Sequence, residues 1–164
     1  MRKMVLSLLV HNEAGVTSRI SGLFTRRGYN IEGITGGVTE DPMVTRMTVE
    51  VEGEEDVLEQ VTKQLEKLED VIAIEELTPE ASVCRELILV RVAANEIQRP
   101  EVVAVANIFR ANVVDVSKES LMIELTGNKR KLDAFLELLA GYEILGIART
   151  GLTGLLRGSS LEKK

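Results

Sequence analysis

The sequence predicts an α+β fold built from two βαββαβ modules in tandem. Three observations predict it. Apolar periodicities over residues 1–78 run strand, helix, strand, strand, helix, strand, and the same order then repeats. The three prolines, Pro42, Pro79 and Pro100, all fall at boundaries between these segments. Charge divides as well: residues 1–80 hold 8 Lys/Arg against 16 Asp/Glu (net −8), and residues 81–164 hold 12 against 10 (net +2).

In chain order, Met4 to Val10 is an aliphatic run of the kind a buried strand carries, and Val16, Ile20, Leu23 and Phe24 recur at helical spacing. Asn30 to Val38 reads as extended. Met43 to Glu52 alternates, with Met43, Thr45, Met47, Val49 and Val51 on one face and Arg46, Thr48, Glu50 and Glu52 on the other. Between these two runs, Thr39-Glu40-Asp41-Pro42 is a turn, so they form a hairpin. Glu54, Glu55 and Asp56 suit the first turn of a helix whose stripe is Val57, Leu58, Val61, Leu65 and Leu68. Val71 to Leu77 closes the first module as a strand. Thr78-Pro79-Glu80-Ala81-Ser82 then breaks the pattern as a linker does.

The second pass begins with a strand, Glu86 to Ala93. Pro100 opens a helix carrying Val102, Val105, Ala106 and Phe109. Val113 to Val116 and Leu121 to Leu125 flank Ser117-Lys118-Glu119 as a hairpin. Gly127-Asn128 precedes a helix with Leu132, Phe135, Leu136 and Leu139 on its stripe, and Ile144 to Ala148 is the last strand. Each module therefore has the ferredoxin-like order, two helices on one face of a four-stranded antiparallel sheet. The expected organisation is a first module at 1–78, a linker at 79–84, and a second module with a tail at 85–164.

Modules of this size are near the limit at which one core suffices, so burial against a partner is expected. In the first strand both phases are apolar, Met4, Leu6, Leu8 and Val10 on one side and Val5 and Leu9 on the other. A homodimer through that sheet, side by side or face to face, is the expectation.

Composition narrows the function classes. Hydrophobic residues are 45% and charged residues 28%, enough for packed cores. No apolar run approaches a membrane span, and the N-terminus lacks a signal-peptide core. Cys84 is the one cysteine, so no internal disulfide is available, which fits a reducing, cytoplasmic setting. Aromatics are 3% and Trp is absent, and the charge is not gathered on a basic segment, so neither nucleic acid nor membrane is an expected partner. His11 is the sole histidine, far from Cys84, with no second His or Cys to complete a metal cage, and any nucleophile-histidine arrangement would have to use His11 itself. It reads as a polar residue at a strand end. Catalytic residues and bound metal are therefore expected to be absent. Gly33, Gly36 and Gly37 fit neither phosphate-binding glycine spacing and mark a bulge or a close approach of backbone or ligand.

The stretch that draws chemistry is Val10-His11-Asn12-Glu13-Ala14-Gly15-Val16, a strand, a tight turn and a helix start. The first N–H groups of a helix have no internal acceptor and carry the positive end of its dipole, which makes an anion site. Gly15 removes a side chain where a ligand would approach, Asn12 offers an amide, and Asn30 offers a second at the start of the next strand. A small amino acid, with its carboxylate and ammonium, matches such a set. The plainer alternative is that Asn12 only caps the helix and Gly15 only makes the turn. The tail, Arg149-Thr150-Gly151-Leu152-Thr153-Gly154-Leu155-Leu156-Arg157-Gly158, is read in two ways: a frayed end, for which Ser159 to Lys164 alone would suffice, or a segment that orders against another protein.

With Asn12-Glu13-Ala14-Gly15-Val16 opening a helix and Gly28-Tyr29-Asn30-Ile31-Glu32 opening the second strand, the first module resembles an ACT domain, a family of amino-acid-sensing modules. More closely, Gly22-Leu23-Phe24-Thr25-Arg26-Arg27-Gly28-Tyr29-Asn30-Ile31-Glu32, Thr39-Glu40-Asp41, Arg46-Met47-Thr48, Arg85-Glu86-Leu87, Phe109-Arg110 and Arg149-Thr150-Gly151 resemble the small regulatory subunits of acetolactate synthase. The resemblance covers nearly the whole chain. It implies a non-catalytic protein that binds and activates the thiamine-diphosphate-dependent catalytic subunit and confers feedback inhibition by valine or another branched-chain amino acid. Thiamine diphosphate, magnesium and any FAD would belong to that catalytic subunit. It also implies an effector site at the dimer interface, with Asn12, Ala14, Gly15 and Val16 of one chain meeting Asn30 and Ile31 of the other. Thr17 departs from the Leu common after Gly-Val in the family and bears on which effector is bound. The alternative in another class is a stand-alone ACT-type sensor acting on a different enzyme or a transcription factor; no DNA-reading module is visible for the latter.

Overall fold

The computed structural model describes residues 1–158; the expectation for Ser159 to Lys164 lies outside them. The chain divides into two compact units, Met1–Cys84 with the tail from Leu152, and Arg85–Gly151.

In the first unit the order is β1 (Arg2–His11), α1 (Val16–Arg27), β2 (Ile31–Val38), β3 (Val44–Gly53), α2 (Glu55–Glu66) and β4 (Val71–Glu76). The sheet order is β2-β3-β1-β4 with antiparallel neighbours, so β2 and β4 are its edges. Alternation decides the faces. Met4, Leu6, Leu8 and Val10 of β1 and Met47, Val49 and Val51 of β3 are buried together with Ile20 and Phe24 of α1 and Leu58, Val61 and Leu65 of α2. Each such side chain contributes about 1.5–3 kcal/mol relative to exposure. The helix α1 stops at Gly28, whose left-handed backbone (φ 68°) lets its N–H bond back to the Thr25 carbonyl. Phe24 then meets Tyr29 edge to face at 6.1 Å.

Gly33 follows a register shift between Ile31 and Gly33, the bulge that the glycines signalled. Met43, expected at the start of the inward face of β3, is exposed in the turn before it. The Asp41 carboxylate accepts its N–H at 2.9 Å, which holds it in the turn.

The second unit contains most of β5 (Ser82–Ala93), then α3 (Arg99–Ile108), β6 (Asn112–Val116), β7 (Ser120–Gly127), α4 (Lys129–Leu138) and β8 (Ile144–Arg149). Its sheet order is β6-β7-β5-β8. Ile88, Val90, Val92, Val102, Ala106, Ile123, Leu132 and Phe135 form a separate core, in which Phe109 meets Phe135 at 5.4 Å. Asn128 caps α4, its side-chain oxygen accepting the Lys131 N–H at 2.9 Å. Both modules are thus βαββαβ in order. Strand β5 begins at Ser82, inside the stretch expected as linker.

The tail is not frayed: as far as Gly158 it is held against its own chain. Thr153–Leu156 form β9, which pairs with β5, and the Arg157 N–H donates to the Ala81 carbonyl at 2.8 Å. Gly154 permits this. A Cβ there would lie 2.6 Å from Cys84 Sγ and 2.7 Å from Leu77 Cδ1, closer than packed atoms approach. The Leu152 carbonyl accepts the Thr35 hydroxyl at 2.7 Å. Thr35 pairs with Thr48 and Thr48 with Ser7, a row on the sheet face away from the helices, where Thr48 and Ser7 are both 2% exposed.

Candidate functional site

At the end of β1 the backbone is locked before it turns. The His11 N–H donates to the Asp70 carbonyl at 2.9 Å, the Asn12 N–H to the Met43 carbonyl at 2.8 Å, and Asn12 Nδ2 to the Pro42 carbonyl at 2.9 Å. Asn12 therefore does not cap α1. Its amide ties the β1–α1 turn to the β2–β3 turn and keeps its carbonyl oxygen available as an acceptor.

Gly15 is the residue at the cap position, with φ 86° in the left-handed region, and it has no side chain to spend on the helix. The Val16 N–H reaches the Glu13 carbonyl at a long 3.4 Å, and the Arg19 N–H bonds the Gly15 carbonyl at 2.9 Å. The N–H groups of Thr17 and Ser18 meet no acceptor among the described residues. No acidic side chain occupies the first turn. Two free donors and an uncompensated positive helix end can receive a carboxylate.

Beside this helix start runs a groove of about 420 Å³, within the ~300–1,000 Å³ typical of small-molecule sites. Asn12 and Thr17 form one wall and the Ile34–Val38 end of β2 the other. Gly36 and Gly37 leave the middle of that second wall without side chains, between Thr35 and Val38. As the edge strand, β2 has no strand on its outer side among the described residues.

The six residues predicted for the site fall into two groups. Asn12, Ala14, Gly15 and Val16 share the turn, where the Val16 side chain is buried in the core and only its backbone faces the site. Asn30 and Ile31 stand at the start of β2. Register measures the gap: Ile31 pairs with Val51, which pairs with Met4, whereas Val38 pairs with Thr45, which pairs with Val10. Six residues of strand separate the groups, about 20 Å, so one chain does not bring them together. Gly36 and Thr45 line the groove and were not assigned to the site from sequence; Thr17, noted from sequence as bearing on the effector, lines it as well. The glycine pair within a strand was the available signal for them.

Electrostatics at the turn centre on Asp70, whose carboxylate accepts Arg19 Nε at 2.6 Å and Nη2 at 3.0 Å. This fork, chiefly, holds the Asp70 carboxyl below the usual carboxylate range. In the second unit Glu86 accepts Arg149 Nε at 2.9 Å and Nη2 at 3.0 Å and is lowered for the same reason. Among the described residues there is no cluster of three His, Cys, Asp or Glu able to hold a metal ion, and no helix is long and apolar enough to cross a membrane.

Comparison with known proteins adds to this geometry. Residues 6–73 match the family described as "AHAS small subunit-like ACT domain", and residues 85–158 match "Small subunit of acetolactate synthase". The chain is 51% identical over 156 residues to a probable acetolactate synthase small subunit of Methanothermobacter thermautotrophicus, covering 94% of this chain and 93% of that one. It is 48% identical to the acetolactate synthase small subunit of Bacillus subtilis over 96% of this chain and 92% of that protein. The crystal structure of an acetolactate synthase small subunit from Thermotoga maritima superposes with a TM-score of 0.88 at 38% identity, covering 96% of this chain and 98% of that chain.

Proposed function

The chain belongs to the family of acetolactate synthase small subunits, the non-catalytic regulatory component, and on that premise we propose that it activates a thiamine-diphosphate-dependent catalytic subunit and makes it responsive to valine or another branched-chain amino acid. The observation that carries the effector part of this reading is the separation of the two halves of the site along an edge strand whose outer side is open. Pairing β2 with its own copy about a two-fold axis is antiparallel, and it sets the start of one β2 beside the end of the other. Asn30 and Ile31 of one chain then meet the groove beside Asn12 and Gly15 of the second, and symmetry makes the pocket twice. The tail reaching Thr35 on the outer sheet face favours this side-by-side arrangement over a face-to-face one.

In this reading the N–H groups of Thr17 and Ser18 take the effector carboxylate. The side-chain oxygens of Asn12 and Asn30 accept from its ammonium and orient it, and the interface encloses its aliphatic side chain. Occupancy ties two chains together at both ends of the shared strand pair and alters the geometry or rigidity of the dimer. It inhibits only through its differing affinity for two states of the assembly. Thiamine diphosphate, magnesium and any flavin belong to the catalytic subunit.

The test is to assay acetolactate formation by the catalytic subunit alone, with this chain, and with this chain plus valine. Activation by the chain and inhibition by valine are the expected results. Unchanged activity on adding the chain contradicts the proposal, and activation without a response to valine, leucine or isoleucine contradicts its effector half.

A further inference from the structure

The β1–α1 turn is held at both ends by one residue. The Asp70 carbonyl accepts the His11 N–H just before the turn, and the Asp70 carboxylate accepts Arg19 through two nitrogens just after it. A helical side chain leans toward the N-terminus, which lays the Arg19 guanidinium back over the first turn. Its third nitrogen, Nη1, lies 2.9 Å from where a Cβ on Gly15 would project. The guanidinium thus occupies the space behind Gly15, and two parallel charge-assisted bonds fix it there, a geometry that Arg provides and Lys does not. Asp70 is the sheltered member, with its side chain 16% exposed against 49% for Arg19. Neither residue lines the groove between Asn12 and β2.

Such a strut has a physical purpose. Glycine has the freest backbone of any residue; the Gly15 carbonyl is tied forward to the Arg19 N–H at 2.9 Å, but the bond that closes the turn across Gly15, Val16 to Glu13, is long at 3.4 Å. Left alone, the turn would spread over several conformations, and a ligand needing the Thr17 and Ser18 donors in one orientation would bind only to the fraction that presents them. The geometry points to the Arg19–Asp70 pair as a positioning device for effector binding: it holds the Gly15 backbone from behind and touches no ligand. This inference rests on the effector reading given above.

Valine is titrated calorimetrically into the wild-type dimer and into Arg19→Leu, Asp70→Asn, the double variant and Arg19→Lys. If releasing the strut leaves about one turn in ten competent, each of the first two dissociation constants rises roughly tenfold. The double variant rises no further, because both changes release the same clamp. Arg19→Lys, with charge but no fork, recovers only part of the loss. Should Asp70→Asn fail to fold, the two Arg19 variants carry the test, since they leave the His11 to Asp70 backbone bond in place. Wild-type affinity in Arg19→Leu, or losses that add in the double variant, overturns the inference while leaving the effector reading intact. A wild-type chain that binds no branched-chain amino acid overturns both.

Discussion

The two modules place the same pair of residues, Asn-Glu, just past their first strand, and do opposite things with them. In the first, Asn12 donates its amide sideways to Pro42, and the N–H groups of Thr17 and Ser18 stay open. In the second, Asn95 turns inward: its side-chain oxygen accepts the N–H groups of Ile97 at 3.0 Å and Gln98 at 2.9 Å, while its carbonyl accepts that of Arg99 at 2.9 Å. Pro100 has no N–H, and the Gln98 carbonyl accepts those of Glu101 and Val102. Every donor at the start of α3 is therefore accounted for within the chain. One fold thus offers one open helix end and one closed one. A left-handed glycine in one turn, set against an asparagine and a proline in the other, makes the difference.

Changes at these positions break or sharpen that contrast. The largest effect is expected from Gly15→Asp. It strains a φ of 86° by about 1–2 kcal/mol, presses its Cβ to 2.9 Å from Arg19 Nη1, and sets a carboxylate against the effector's own. Calorimetry should show valine affinity down by roughly a hundredfold with the fold intact by circular dichroism. Retained affinity would place the site elsewhere.

A smaller effect separates the modules. Asn95→Ala leaves the Ile97 and Gln98 donors to water and should cost about 1 kcal/mol in urea unfolding with no change in valine affinity. Asn12→Ala loses one bond to Pro42 at a cost of about 0.5–1.5 kcal/mol, and valine binding weakens with it. Equal effects of the two substitutions on valine affinity would abolish the distinction drawn between the turns.

The smallest effect is in acid. Asp70 and Glu86 are both held below their ordinary values of 3.8 and 4.5 by a forked arginine. A depressed carboxyl stabilises the fold above its unfolded pKa, and that stability is lost as pH falls through the folded value. Asp70→Asn and Glu86→Gln should each narrow the stability difference from wild type as pH drops below about 4, most of it regained above pH 5. A difference that is flat across this range would show that neither fork contributes through its charge.

Much of this was legible in the sequence because alternation and helical spacing are direct consequences of one-sided burial. Met47, Val49 and Val51 on β3, and Leu58, Val61 and Leu65 on α2, face the core as their spacing required. The turn at Gly15 was legible for a related reason, since glycine at a helix start signals backbone that must be free or approached. Other features depend on long-range packing. Nothing local to Gly154 tells that its hydrogen faces Cys84 and Leu77, so the tail's return as β9 is invisible in its own residues. The same holds for Asn12, which the turn alone offers as a helix cap or a ligand contact: it does not cap α1, because its Nδ2 donates to the Pro42 carbonyl, 30 positions away. Met43 fits the alternation of β3 yet belongs to the turn, because the Asp41 side chain captures its N–H.

The account stands on a pocket completed by two chains, and a mixed dimer tests it directly. One chain carries Gly15→Asp and the other Asn30→Ala, so that a site shared between chains is doubly damaged at one end of the paired strands and untouched at the other. Calorimetry of the purified mixed dimer should find one valine per dimer at wild-type affinity, although neither parent homodimer binds at that affinity. A mixed dimer that binds no valine would mean that each chain builds its site alone, contrary to the account.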